Sequence, residues 1–382
     1  MASYTKRGKT WQYTISTKDP LTNKFKKVTK GGFRTKAEAT SAATEKELLI
    51  KNGYALNKKI PFHSYFQEWM ELYKKPIVSN RTYTKYETTL NSIKQYCGEK
   101  LITDYTKKAY QQLLNAYALT HAPASTSKFN NHIRQCVTNA VEEKLLLDNF
   151  TNKAVISGTS NTKKAEDKFL NYEDTKKVIA YFKERLNPKL PSYYMIILAF
   201  TTGMRYGELL GLTWDDINFD TQELDINKAY DYHTHTGFKA TKTYSSSRTI
   251  FIDSETTNLL KQFKIDQQLL FQEYEVTNPN NQVFFHYIEG IISNNAVNNS
   301  LRRALKKLAI TPLITMHGAR HTYGSLLIYK GIDLTVVSEI LGHKDTTITS
   351  RVYVHVIKEL REKNQNSINI LMKKLYQPKE KD

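Results

Sequence analysis

Five short segments in the second half of this 382-residue chain concentrate side chains able to work on a phosphate ester. In Thr201-Thr-Gly-Met-Arg205-Tyr-Gly-Glu208, Gly203 permits a positive-φ turn ahead of a helix, which leaves Arg205 at that helix's start. There its guanidinium can act together with free backbone amides. Thr241-Lys242-Thr-Tyr-Ser-Ser-Ser-Arg248 reads as a hairpin with a lysine in or beside its turn. Thr315-Met-His317-Gly-Ala-Arg320-His321-Thr322 spaces a histidine and an arginine three apart, on one side of a helix start. Leu341-Gly342-His343 follows an amphipathic stretch, and Tyr353 stands ten residues later in Thr349-Ser-Arg-Val-Tyr-Val-His355.

Two arginines, two histidines, a lysine and a tyrosine suit one reaction, transfer at a phosphodiester. Its pentacoordinate transition state gathers negative charge on the nonbridging oxygens, which planar guanidiniums meet bidentately. A tyrosine serves as nucleophile, with neighbouring cations lowering its pKa from about 10. A lysine protonates the departing 5′-oxygen, and histidines take the tyrosyl proton or hold a phosphate oxygen. Fixed Arg and Lys charges do the work of a metal ion, so neither metal nor cofactor is expected. The broken ester's energy is kept in the phosphotyrosine, so rejoining needs no ATP. Of the other polar residues, Glu208 reads as a partner for Arg205 or its helix. Arg248, on an alternating strand, reads as phosphate-positioning or solvent-facing. His321 reads as an interior residue holding a backbone carbonyl, and His355 as helix packing.

The elements that must position these groups are legible from patterning. Asn171-Tyr-Glu-Asp174 opens a large domain, 169–375, of mixed helices with a strand-rich insert at Glu223–Asp253, ahead of a tail at 376–382. Before it, 157–168 is polar and aperiodic and reads as a linker. Residues 60–156 read as a helical bundle. Phe62, Tyr65, Phe66, Trp69, Leu72 and Tyr73 line one helix face that ends at Pro76, and further helices are expected over Thr82–Tyr96, Thr106–Tyr117 and Ser125–Leu146. Residues 1–57 read as a small sheet (Thr10–Ser16, Lys24–Thr29, then a Gly31-Gly32 turn) with one helix opening on the capping box Thr35-Lys-Ala-Glu38. Its open face is expected to carry lysines and aromatics.

Composition narrows the partner. Lys and Arg total 56 against 37 Asp and Glu, a net charge of +19, and residues 1–59 alone hold 14 basic against 4 acidic residues. Such clustering is the footprint of a polyanion-binding surface, most often for nucleic acid. At 40% hydrophobic the chain is too apolar for a disordered basic tail, and two cysteines, Cys97 and Cys136, exclude a disulfide scaffold or zinc-finger array. No apolar run approaches the roughly 18 residues of a membrane span, and the first residues lack a signal peptide's apolar stretch, so a soluble, intracellular protein with no membrane partner is expected.

In order and spacing, the Arg-x-Gly-Glu-Leu at Arg205, the His-x-x-Arg-His-Thr at His317 and the Leu-Gly-His343…Tyr353-x-His-Val end resemble the tyrosine recombinases of the phage integrase family. Integrases of temperate phages and conjugative transposons from low-GC Gram-positive bacteria are the most similar in kind. The resemblance covers most of the chain and implies a multidomain, mainly α fold with small β elements. Residues 1–57 would be an arm-site DNA-binding domain, a three-stranded sheet with a helix. Residues 60–156 would be a SAM-like core-binding domain, and 169–375 a mixed α/β catalytic domain, the last two clamping duplex DNA. By position, Arg205 and Arg320 would bind the scissile phosphate and His343 would donate to it. Lys242, with Lys239 as the alternative, would be the general acid, His317 the general base and Tyr353 the nucleophile. Many relatives carry Asp-Leu where this chain has Gly318-Ala319, a departure that touches helix-start geometry. The function implied is site-specific recombination through a 3′-phosphotyrosine and a Holliday junction, integrating and excising a mobile element. The implied assembly is a homotetramer on core and arm sites that exchanges C-terminal elements, helped by an excisionase and a host DNA-bending protein. A type IB topoisomerase-like enzyme and an inactive sequence-specific DNA-binding protein are the alternatives. A metal-dependent transposase is disfavoured by the lack of a carboxylate cluster.

Overall fold

The computed structural model describes residues 2–18, 25–54, 59–159, 165–232, 234, 236–240, 246–353, 369–370 and 372. They fall into two compact units divided at Thr162/Lys163.

The first unit opens with an antiparallel sheet, β1 (Ala2–Arg7), β2 (Thr10–Lys18) and β3 (Phe25–Phe33), in the order β1-β2-β3, covered by α1 (Lys36–Lys51). Alternation along β2 sends Tyr13 and Ile15 inward onto Ala39 and Ala43 of α1, two residues small enough for close approach. Tyr13 and Phe33 therefore lie on the covered side, stacked on each other, with Lys36 over the Trp11 ring, whereas Phe25 at the start of β3 is exposed. This corrects the expectation of an aromatic open face for all but Phe25, and the open face carries hydroxyls such as the Thr14–Thr29 pair at 2.9 Å. Gly31-Gly32 is likewise no terminal turn. The register between β2 and β3 shifts there, with Gly32 at φ 95°, so the pair forms a bulge inside β3. Thr35 caps α1 by accepting from the Glu38 amide, and Glu38 reaches back to the amide of Arg34.

Helices α2 (Phe62–Tyr73), α3 (Asn80–Cys97), α4 (Lys107–Ala118) and α5 (Pro123–Glu142) follow. Phe62, Phe66 and Trp69 are core residues, whereas Leu72 and Tyr73 are exposed. Polar groups inside this bundle are paired: Tyr110 donates to Asn130 at 2.8 Å, and His132 meets Thr89 at 2.8 Å. The helix expected to run to Leu146 ends at Glu142, because Lys144 turns to φ 58°.

The second unit is built around α7 (Pro191–Thr202), preceded by α6 (Tyr172–Lys183) and followed by α8 (Tyr206–Gly211). Nearly every residue of α7 is buried, as expected of a helix apolar on all sides. Two small sheets come next in chain order: β4 (Ile217–Asn218), β5 (Glu223–Ile226), β6 (Lys228–Tyr230), β7 (Phe238–Ala240) and β8 (Arg248–Phe251), paired as β4-β5-β8 and β6-β7. The expected hairpin around Lys242 is thus not a pairing of β7 with β8, since each finds its partner elsewhere. Helix α9 (Ser254–Glu273), the ribbon β9 (Phe285–His286) and β10 (Gly290–Ile291), and α10 (Asn294–Lys307) lead to α11 (Met316–Tyr329), α12 (Leu334–Leu341) and α13 (Thr346–Val352). Helix α11 packs on α7, and its Thr322 hydroxyl accepts the amide of Leu170 at 3.0 Å.

Candidate active site

Helix α7 ends on Gly203 at φ 65°. A Cβ there would lie 2.5 Å from the Tyr323 ring and 2.9 Å from Leu341, so the turn needs glycine for both conformation and space. Two residues on, Arg205 starts α8. Its amide donates to Glu208 Oε2 at 2.9 Å and its Nη1 to Glu208 Oε1 at 2.6 Å. Of the helix-start amides expected to be free for an anion, that of Arg205 itself is taken by Glu208. Arg205 also donates from Nη2 to the carbonyl of Gly342 at 2.9 Å, and with 37% of its side chain exposed it is the solvent-facing arginine of the group.

The C-terminal end of α12 is where the segments meet. Gly342 adopts φ 62°, its amide donates to Glu339, and the His343 amide donates to Ser338. The next three carbonyls each receive a guanidinium: Ile340 from Arg248 Nε at 2.6 Å, Leu341 from Arg320 Nη2, and Gly342 from Arg205. Carbonyls that a helix end leaves unpaired, at the negative pole of its dipole, are thereby satisfied by cations.

Arg320, 2% exposed, also donates to the Gly203 carbonyl at 2.8 Å. Burial, then the charge of Arg205, pushes its pKa down to about 9 against the pull of Glu208, with Arg248 adding to the decrease. It stays protonated at neutral pH. Arg248 is neither solvent-facing nor open to a ligand as the sequence suggests: its side chain is 8% exposed and paired with Glu208 at 3.1 Å. Its strand, β8, packs on α12, which turns the arginine inward. Burial works to raise the Glu208 carboxyl, but Arg248 and then Arg205 and Arg320 hold it below its ordinary value. Three guanidiniums against one carboxylate leave a net positive cluster that fits an anion.

The imidazoles and the phenol adjoin it. The rings of His317 and His321 are 4.5 Å apart, and those of His321 and Tyr353 are 6.1 Å apart. His317 is exposed, and its pKa is lowered by desolvation first, then by Arg320 and Arg205. His321 stands half-buried between these rings, a place its spacing alone did not assign. His343 Nδ1 lies 2.6 Å from the Thr349 hydroxyl, and desolvation, then Arg320 and Arg205, lower its pKa to about 4.

Tyr353 caps α13 and is 1% exposed, packed with Ile328, Val337 and Leu341. A Cβ on Gly324 of α11 would fall 2.3 Å from its hydroxyl, so the phenol rests on the bare backbone of that glycine. Burial raises its pKa to about 12, although Arg320 pulls the other way. The expected depression by cations is reversed here because the ring sits in an apolar nest.

Lys242 and His355 lie outside the described residues. Lys239 sits on β7, half-exposed and paired with Asp231 at 3.2 Å. Sequence reasoning did not single out Gly324 or Thr349, and it missed the Glu208–Arg248 pair. A glycine inside a helix was the one readable signal among them. Among the described residues no group of three His, Cys, Asp or Glu side chains is placed to hold a metal ion.

A domain that gathers arginines, histidines and a tyrosine, preceded by a helical bundle and a small basic sheet, is the arrangement of a multidomain DNA strand transferase. The chain matches the Phage integrase family over residues 168–359, just over half its length, the Arm DNA-binding domain over 2–48 and the Phage integrase N-terminal SAM-like domain over 61–117. It therefore belongs to the phage integrase family and is a tyrosine recombinase, an enzyme of site-specific DNA recombination. It is 25% identical over 350 residues to the integrase of a Staphylococcus phage, covering 86% of this chain and 98% of that one. Identity to the XerC-like tyrosine recombinase of Caldanaerobacter subterraneus is 29% over 376 residues, covering 88% and 90%. In fold it is similar to the Tn1549 transposon integrase in complex with transposon right end DNA, with a TM-score of 0.64 at 16% identity, covering 80% of this chain and 99% of that one. A lambda integrase tetramer bound to a Holliday junction gives a TM-score of 0.58 at 18% identity, covering 89% and 91%. No helix among the described residues is long and apolar enough to cross a membrane.

Proposed function

We propose that this recombinase integrates and excises a mobile element by cutting duplex DNA with Tyr353 and rejoining it through a Holliday junction. Residues 1–57 bind arm sites, 60–156 bind the core site, and 169–375 carry the chemistry. The observation that carries this reading is the convergence of Arg205, Arg320 and His343 on the end of α12, with Tyr353 one short helix away.

Arg205 and Arg320 hold the nonbridging oxygens of the scissile phosphate. With the Thr349 hydroxyl donating to Nδ1, neutral His343 keeps its proton on Nε2 and donates it to the phosphate. Tyr353 leaves its seat on Gly324, passes its proton to His317 and attacks phosphorus. The P–O5′ bond breaks, a 3′-phosphotyrosine forms, and Lys242 protonates the departing 5′-oxygen. The hydroxyl of a partner strand reverses these steps and restores the tyrosine. Four copies act together on bacterial DNA in the cytoplasm, with a DNA-bending protein and an excisionase setting direction.

The test is covalent capture. The full-length protein is incubated with a library of random duplexes, denatured, and the attached DNA sequenced. Wild type should enrich one core sequence with protein on a 3′ end, and Tyr353→Phe should yield none. Adducts that persist in Tyr353→Phe would refute the nucleophile.

A further inference from the structure

Arg248 carries no role in the strand-transfer chemistry, yet it is among the most constrained side chains near the site. Its Nε donates to the Ile340 carbonyl at 2.6 Å, its Nη1 to Ser246 at 3.0 Å, and its Nη2 to Glu208 at 3.1 Å. Those partners belong to three separate pieces of chain: β8 with the residues just before it, the first turn of α8, and the last turn of α12. Glu208 in turn holds Arg205 through both its amide and its guanidinium. Ile340 is followed by the two carbonyls that hold Arg320 and Arg205, and then by His343.

We propose that Arg248 is a positioning residue for the strand-transfer reaction, acting through Glu208 and the end of α12 to align the Arg205 fork and the carbonyl row beneath it. It does not touch DNA. Two physical arguments support this. An arginine with a rigid fork can satisfy a carboxylate and a carbonyl at once, whereas a lysine offers one point charge. And Glu208, shared between Arg205 and Arg248, would be a buried acid with only half its hydrogen bonds if Arg248 were removed. It would then be freer to draw the Arg205 guanidinium out of line. The inference rests on Arg205 being a phosphate ligand.

The experiment uses full-length protein and the duplex recovered by covalent capture. Single-turnover cleavage and duplex binding are measured separately for wild type, Arg248→Met, Arg205→Lys and the double variant. Arg248→Met should bind within about threefold of wild type and cleave about 10- to 100-fold more slowly, the scale of a misplaced catalytic group. Because a lysine at 205 has no fork to align, the loss caused by Arg248→Met should shrink at least about fivefold in the Arg205→Lys background. If Arg248→Met does not fold, Arg248→Lys serves in its place with the same expected pattern. Wild-type cleavage by the 248 variant overturns the proposal. So does an additive cycle, which would mark an independent contact. Wild-type cleavage by Arg205→Lys would instead sink the phosphate-ligand reading on which it stands.

Discussion

Replacing Gly324 with alanine tests the docked state of the nucleophile directly. The new methyl would lie 2.3 Å from the Tyr353 hydroxyl oxygen, 2.5 Å from Cζ and 3.0 Å from Leu341 Cδ1, so something must move by about an ångström. Helix α11 cannot yield easily, because Arg320 and Thr322, one turn earlier, are tied to Gly203 and Leu170. Tyr353 stands at the end of a seven-residue helix and can swing. Fully burying an apolar side chain of this size is worth about 1.5–3 kcal/mol, so loss of the seat raises the undocked population about tenfold to a hundredfold. Helix propensity gains about 1 kcal/mol from Gly to Ala, and overpacking costs about 1–3 kcal/mol, so global stability changes by less than about 2 kcal/mol. The assay is tetranitromethane nitration read by peptide mass spectrometry. Tyr353 should be nearly inert in wild type and should react about tenfold to a hundredfold faster in Gly324→Ala, with other buried tyrosines such as Tyr110 unchanged. Equal nitration of Tyr353 in the two proteins would refute the docking argument.

Two further outcomes follow from the electrostatics. With its folded pKa lowered to about 4 from an ordinary 6.5, His343 contributes stability in full above pH 6.5, and this is lost as the pH falls towards 4. NMR titration of its Cε1–H in free protein should give a midpoint near 4, and His343→Gln should flatten the stability loss in that window. A midpoint near 6.5 would contradict the burial and guanidinium argument. Arg205→Ala and Arg320→Ala should both abolish cleavage but differ in stability. The first leaves Glu208 its Arg248 pair but strands one buried carbonyl, that of Gly342, and destabilises by about 1–2 kcal/mol. The second strands the buried carbonyls of Gly203 and Leu341 and destabilises by about 2–4 kcal/mol, measured by denaturant unfolding. Equal stabilities would show that the second carbonyl held by Arg320 carries no weight.

What could be read from the amino-acid order was local chemistry and local punctuation. Gly203 announces a left-handed turn, Thr35 caps its helix and Asn171 opens another, because each signal acts within a few residues. The identities and spacing of Arg205, His317, Arg320, His343 and Tyr353 were legible for the same reason: reaction chemistry restricts residue type. Tertiary packing decided the rest. Arg248 read as phosphate-positioning or solvent-facing on an alternating strand until β8 paired with β5 and leaned on α12, where it meets a carbonyl of α12 and a carboxylate 40 positions earlier. Tyr353 should have been acidified by cations, but a phenol fitted over a glycine loses more hydration than Arg320 returns. Both outcomes turn on burial, which depends on what the remainder of the chain brings alongside a residue, and neighbours in sequence do not carry that information.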